Sequence, residues 1–379
     1  MATPLKAKLG QPGWHLKQPA VDVWVTRTAG MLAPATFHLP GGRAVQPFAV
    51  APWVGEKIDA GLPPLLHALR GDFFCAPFGG NGVAWRGEKH PPHGESANAD
   101  WEFIKSTKSR ETTSLHLQLK TKVRPGVIDK RITLHAGHRA IYCEHTLTGF
   151  SGPMSLGTHP CLKVPGPEGS ARISVGGWDW GQVLPVAFEE PSVGGYSSLK
   201  PGARFQSLAA VPLANGGTAD LTRYPARSGF DDLVMLMGKP GRAFGWSAVT
   251  FPEEGWALLQ LKNSEVLRHT ILWHSNGGRH YAPWNGRHRN VLGLEETTSY
   301  FHFGQAESAK SNPLSKAGYP TTIKLSAKKP LRVPHIFAVA AIPSGFDIVA
   351  DVQTTEGGIL VTAKNGRTVT MPLDTGFLA

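Results

Sequence analysis

Hydrophobic and polar residues alternate in twos along much of the chain. In Leu115-His116-Leu117-Gln118-Leu119-Lys120 every second residue is leucine, the period of a strand with one buried face. Segment 126–134 closes in Ile132-Thr133-Leu134, Gly137-His138-Arg139 makes a turn, and 141–147 alternates again. Three such runs joined by short glycine-bearing turns predict an antiparallel meander. Similar runs predict strands at 21–26, 45–53, 233–237, 244–251, 256–261 and 266–273. Five more are predicted at 321–325, 336–342, 348–352, 359–363 and 368–372. One short helix is predicted over 62–69, opening with Pro63-Pro64, which a helix N-terminus tolerates. Nothing alternates strand with helix in the βαβ manner, so the chain is expected to be all-β and antiparallel with little helix. The Gly/Pro-dense stretch 166–217 reads as long loops between strands. Residues 1–306 are expected to form one large sandwich. Residues 307–379 read as a strand-rich extension, packed on or closing the same domain.

Composition supports that picture. Of 379 residues, 41% are hydrophobic and 18% charged, enough for a large core and incompatible with global disorder. Gly 44 and Pro 31 supply the punctuation that many short strands require. The longest apolar run, 336–342, is too short for a membrane-spanning helix, and no membrane partner is expected. Net charge is 39 − 28 = +11, but the cations are scattered. Their densest group, between Arg279 and Arg289, is interleaved with Tyr281 and Trp284, so no nucleic-acid partner is expected. Cys75, Cys143 and Cys161 form no CxxC pair, and their odd number is no disulfide framework. The opening Met1-Ala-Thr-Pro-Leu-Lys lacks the apolar core of a secretory signal, which leaves a reducing cytoplasm as the expectation.

The motifs of several enzyme classes are missing. No GxSxG, HExxH, GxxxxGK[ST] or GxGxxG occurs, and neither a cofactor nor a metal is expected. His90 with His93, and His135 with His138, make HxxH pairs in apparent loops, where solvation is the commoner reading. Four segments stand out. The first runs from Phe73-Phe74-Cys75-Ala76-Pro77-Phe78-Gly79-Gly80 to Pro92-His93-Gly94-Glu95-Ser96-Ala97-Asn98. The others are Gly157-Thr158-His159-Pro160-Cys161-Leu162, Gly229-Phe230-Asp231-Asp232 and Leu292-Gly293-Leu294-Glu295-Glu296. In that order the chain resembles the aldose 1-epimerase (galactose mutarotase-like) superfamily over roughly residues 20 to 305. That family carries an HGFARN-type segment, an HPYF-type histidine, a GYD-type aspartate and a GLEP-like glutamate.

The resemblance implies a large galactose mutarotase-like β-sandwich and a cofactor-independent sugar isomerase. Anomer exchange opens a cyclic hemiacetal: a base takes the anomeric hydroxyl proton while an acid protonates the ring oxygen. By resemblance Glu295 is the base, His159 the acid and His93 a second histidine near the ring oxygen. Asp231 would hold sugar hydroxyls. Departures bear on substrate: Ala97 replaces the family arginine, and the arginine after the first Pro-Phe segment is missing. Asn81 stands near that place, with Arg86 the nearest substitute. Trp273 and Trp284 are candidate ring-packing aromatics, and Arg279 a candidate contact for an acidic or phosphorylated sugar. Each residue has a plainer reading: loop histidines, a solvated strand face for Glu295, turn chemistry for Asp231 and core packing for the tryptophans. A non-catalytic carbohydrate-binding protein, or a carbohydrate lyase or hydrolase using paired carboxylates, remains open beside the isomerase.

Overall fold

The computed structural model describes residues 5–241 and 244–379. Residues 1–4, part of the segment read for a leader, lie outside these. The chain is 48% strand and 7% helix, an all-β fold. Two large sheets dominate, and every strand pairing in them is antiparallel. The nine-stranded sheet holds the predicted meander, Thr112–Thr121, Gly126–His135 and Ala140–Thr148, toward one end. Gly245–Phe251 and Trp256–Lys262 lie on its other side. Leu331–Ala341 fills the place between them, pairing with Trp256–Lys262 on one edge and Ala140–Thr148 on the other. The eight-stranded sheet is built around Phe230–Gly238, His269–Asn276 and Val291–Thr298.

Alternation explains how the sheets stack. Leu117, Ile132, Phe337 and Val339 from the larger sheet meet Val234, Leu236, Leu272, Leu292 and Leu294 from the smaller one in the principal core. The outer face of the nine-stranded sheet is also covered. Ile336, Ala338 and Ala340 pack there against Val352, Ile359 and Val361 of a three-stranded unit, Val349–Thr355, Gly358–Ala363 and Thr368–Pro372. A strand buried on both faces reads as a continuous apolar run, as 336–342 does. The other face of the eight-stranded sheet carries Leu233, Met235, Ile271, Trp273 and Val291. It is roofed by loops and by the helix Pro64–Ala68.

Three expectations need correction. Segment 45–53 is not a strand: Ala44–Val45 ends one sheet, and Phe48 and Val50 then make only isolated bridges to Leu162 and Arg70. Its apolar side chains pack in the core without a ladder. The 266–273 strand begins at His269, because Val266 and Leu267 donate their N–H groups to Asn263 O in a turn. Within 166–217, read as loops, Ala171–Val175 and Trp178–Val183 are sheet strands. Among the described residues no helix is long and apolar enough to cross a membrane.

A buried ion pair joins the two large sheets across the principal core. The Lys262 ammonium of the larger sheet donates to the Glu296 carboxylate of the smaller one. The same carboxylate accepts from Ser247 Oγ at 2.7 Å and Thr270 Oγ1 at 2.7 Å. Lys262 also donates to His269 O at 2.9 Å. Lost charge on one partner strands the other in a low-dielectric interior. Glu296→Gln should therefore cost about 3–5 kcal/mol in urea denaturation, and Glu296→Leu with Lys262→Met should recover most of it. A single variant as stable as the parent would show that the pair does not bind the sheets.

Candidate active site

Along Val291–Thr298, Leu292 and Leu294 point into the principal core, so Glu295 points the other way. There it enters a cavity of about 290 Å³. Gly293, on the same face, leaves the room: a Cβ at 293 would lie 2.6 Å from Glu295 Oε1 and 3.0 Å from Trp273 Cβ. His159 sits between two short strands, Leu156–Thr158 and Cys161–Lys163, that both pair with the Glu295 strand. Its N–H donates to Phe73 O at 2.9 Å and Asp72 Oδ1 at 3.1 Å. Its ring stacks on Phe73 with centroids 4.6 Å apart. This brings His159 Nε2 to 3.4 Å from Glu295 Oε1. His93 arrives on a loop whose N–H donates to Gly79 O at 2.7 Å. Its ring meets that of His159 edge to face at 4.8 Å, and its Nδ1 lies 3.4 Å from Cys75 Sγ.

Arg279 closes one side of the cavity. Its guanidinium lies over Phe188, Trp273 and Trp284 at 5.1, 5.0 and 4.6 Å. Its Nε donates to Glu189 Oε1 at 2.6 Å and lies 3.7 Å from Asp231 Oδ2. Tyr281 OH donates to Glu189 Oε2 at 3.0 Å. Asp231 accepts from Trp273 Nε1 at 3.1 Å and from Gly278 N at 2.8 Å. The indole and the guanidinium thus share one carboxylate. The other wall is hydrocarbon: Pro63, Leu65, Leu66 and Leu69 around the short helix, with Leu233 from the sheet.

Burial governs the protonation states. It pushes the Glu295 carboxyl well above the usual range, with Arg279 pulling the other way. It lowers His159 to about 4, and lowers His93 well below the usual histidine value. Asp231 is raised by burial, against the opposing pull of Arg279 and its hydrogen bonds. Burial therefore disfavours charge on both members of the Glu295–His159 pair and pushes a shared proton toward the carboxyl. That reverses the ordinary order in which a glutamate is ionised and a histidine carries the charge.

Of the residues singled out in the sequence, His93, His159, Glu295, Trp273, Trp284 and Arg279 line the one cavity. Asp231 stands behind it, tied to Trp273 and Arg279. Asn81 and Arg86 do not reach it, and the expectation that they contact substrate is corrected. The Asn81 amide is spent on its loop: Nδ2 donates to Pro77, Gly79 and Pro91 carbonyls, and Oδ1 accepts from Gln305 N. Arg86 is exposed and stacks on Trp85 at 4.7 Å. Two neighbouring arginines are also occupied elsewhere: Arg287 pairs with Glu56, and Arg289 donates to Gly286 O. The sequence reading missed Glu189, Phe188, His302 and Asp72. Glu189 and Phe188 fall in the segment read as loop, where no period marks a facing residue. A larger open depression of about 710 Å³, near Ser198, Asn215 and Arg227, holds no histidine facing a carboxylate.

Solved structures share this architecture. A galactose mutarotase-like protein from Clostridium acetobutylicum aligns over 89% of this chain and 98% of its own, with 12% identity and a TM-score of 0.57. A galactose mutarotase related enzyme from Lactobacillus acidophilus covers 88% and 99%, at 12% identity and TM-score 0.55. An aldose epimerase homologue from C. elegans covers 88% and 100%, at 11% identity and TM-score 0.53. At these identities the likeness is one of fold: the chain has the galactose mutarotase-like β-sandwich. No family model and no curated protein matches the sequence.

The buried histidines make a pH prediction. His159, His269 and His302 are lowered to about 4 and His288 to about 3, each chiefly by burial. An unfolded chain titrates these groups near ~6.5. Below that value the unfolded state takes up protons that the folded state refuses, so stability falls as pH drops from about 6.5 toward 4. The fully buried members should each contribute up to ~1.4 kcal/mol per pH unit in that window. The urea midpoint should accordingly be lower at pH 5 than at pH 7, and an unchanged midpoint would contradict the buried neutral histidines.

Proposed function

We propose that the chain is a cofactor-independent aldose 1-epimerase-like isomerase that interconverts the anomers of a monosaccharide. The observation that carries this reading is the Glu295–His159 pair, 3.4 Å apart on one wall of a buried, tryptophan-lined cavity. The cavity, at about 290 Å³, has room for a single sugar ring. Trp273 and Trp284 line the cavity beside Arg279 and give part of its wall an aromatic surface for the C–H groups of a pyranose.

The chemistry follows from one shared proton. Sugar hydroxyls that hydrogen-bond to the Glu295 carboxylate favour the ionised form, and the proton passes to His159. Glu295 then accepts the anomeric hydroxyl proton while His159 gives its proton to the ring oxygen. The C1–O5 bond breaks, the open aldehyde rotates about C1–C2, and the ring closes on the opposite face with the transfers reversed. His93 stands beside His159 as a second contact for the ring oxygen. Arg279, held by Glu189 and Asp231, keeps a fixed positive charge near the carboxylate.

Glu295→Gln and His159→Asn should each slow anomer exchange by about 10²-fold or more, the low end for a positioned acid or base. Proton exchange spectroscopy on freshly dissolved sugars measures this directly. Full activity in both variants would remove Glu295 and His159 from the chemistry, and no exchange by the parent protein would end the isomerase reading and move a non-catalytic carbohydrate-binding protein ahead.

Rate against pH tests the shared proton separately. Burial lowers His159 to about 4 and raises Glu295, so no step in rate is expected at the ordinary histidine value. The rate constant should stay level from pH 6 to pH 8. A loss centred near ~6.5, where an ordinary histidine deprotonates, would show that the site does not shift its groups as burial requires.

A further inference from the structure

The cavity separates its polar and apolar walls by element. Strand and loop residues supply Glu295, His159, His93, His302 and Arg279. The segment around the helix Pro64–Ala68 supplies hydrocarbon alone: Pro63, Leu65, Leu66 and Leu69. Leu65 and Leu69 are nearly closed to solvent, and Leu66 is half-buried. The charge balance is equally one-sided. Arg279 is the only lysine or arginine among the described residues lining the cavity. It already faces Glu189 at 2.6 Å and Asp231 at 3.7 Å, with Glu295 on the same cavity. Two carboxylates thus face one guanidinium, itself enclosed by three aromatic rings.

From these two observations we infer that the ligand is a neutral deoxy-sugar, a monosaccharide with a methyl or methylene edge where a common hexose carries a hydroxyl. The inference rests on the isomerase reading for turnover, though not for binding. A hexopyranose carries five hydroxyls and a ring oxygen. The anomeric hydroxyl and ring oxygen go to Glu295 and the histidine pair. The others must meet either the terminal nitrogens of Arg279 and His302 on the polar side or the hydrocarbon wall, since Asn81 and Arg86 lie elsewhere. A hydroxyl set against Leu65, Leu66 and Leu69 would lose its water and gain no partner, whereas a methyl group would bury favourably. A phosphate or carboxylate would find a single cation, Arg279, already facing the carboxylates of Glu189 and Asp231. The expectation of an acidic or phosphorylated sugar, raised by the arginines of the sequence, gives way on this ground.

An apolar wall discriminates against an added hydroxyl by no more than about 10²-fold. The expected preference is accordingly about 10- to 100-fold in kcat/KM. The test uses matched pairs differing at one carbon: quinovose against glucose, D-fucose against D-galactose, rhamnose against L-mannose and 2-deoxyglucose against glucose, with glucose 6-phosphate and glucuronate as anions. Anomer exchange is read by proton exchange spectroscopy, and binding of the same sugars by saturation-transfer difference. Preference for the deoxy member in at least one pair, with the anions poorest at every salt concentration, supports the inference. Leu66→Asn, at a half-buried position, should then reduce that preference by about tenfold. Deoxy-selective binding without exchange would sustain the inference while ending the isomerase reading. Parent hexoses favoured in all pairs, anions favoured, or no sugar bound would each overturn it.

Discussion

The contact between Glu296 and Lys262 sets the register on which the site depends. Val291–Thr298 carries adjacent glutamates, and strand geometry sends them to opposite faces. Glu296 enters the space between the two large sheets, where Lys262, Ser247 and Thr270 satisfy it. Glu295 enters the cavity beside His159. A slip of one residue that put Thr297 in the place of Glu296 would leave Lys262 without its carboxylate, set Glu295 among the core leucines and turn leucines toward the cavity. Such a slip would carry a penalty of several kcal/mol, since a buried charge without its partner is among the costliest defects a core can hold. The ion pair is structural, but the chemistry stands one peptide bond away.

Enclosure has a second effect on the cavity. Buried groups resist being charged, so enclosure lowers the proton affinity of His159 and raises that of Glu295. Arg279 remains charged because Glu189 and Asp231 face it and raise its affinity for the proton. Its role is therefore less to catch an anion than to anchor a framework. One guanidinium fixes two tryptophans, a phenylalanine and two acidic residues around a space too small for much rearrangement.

Much of this was legible in the sequence where a residue type and a period agree. The leucine alternation of 115–120 predicts its strand because one face meets the core and the other does not. Leu292 and Leu294 predicted the face of Glu295 by the same logic. Segment 45–53 misled because apolar side chains can enter a core from irregular backbone as well as from a ladder. Asn81 and Arg86 misled for another reason. Sequence neighbourhood fixes which loop a side chain belongs to, but the direction of a loop side chain depends on positive-φ turns at Asn81, Arg86 and His93, which leave no period. Glu189 and Asp72 were invisible because each reaches the site through tertiary contacts alone.

The position of Leu331–Ala341 bears on the order in which the chain can be assembled. This strand joins Trp256–Lys262 to Ala140–Thr148, yet it is synthesised about seventy residues after the first and two hundred after the second. Until it emerges from the ribosome, both neighbours present open hydrogen-bonding edges with apolar faces. Pairings of such long sequence separation close slowly, because the intervening chain must first be ordered. Exposed edges of this kind recruit strands from other molecules. A ribosome stalled before residue 331 would therefore leave the larger sheet in two unjoined halves, a product suited to capture by chaperones or to aggregation. The middle of that sheet forms only after both of its halves have been made.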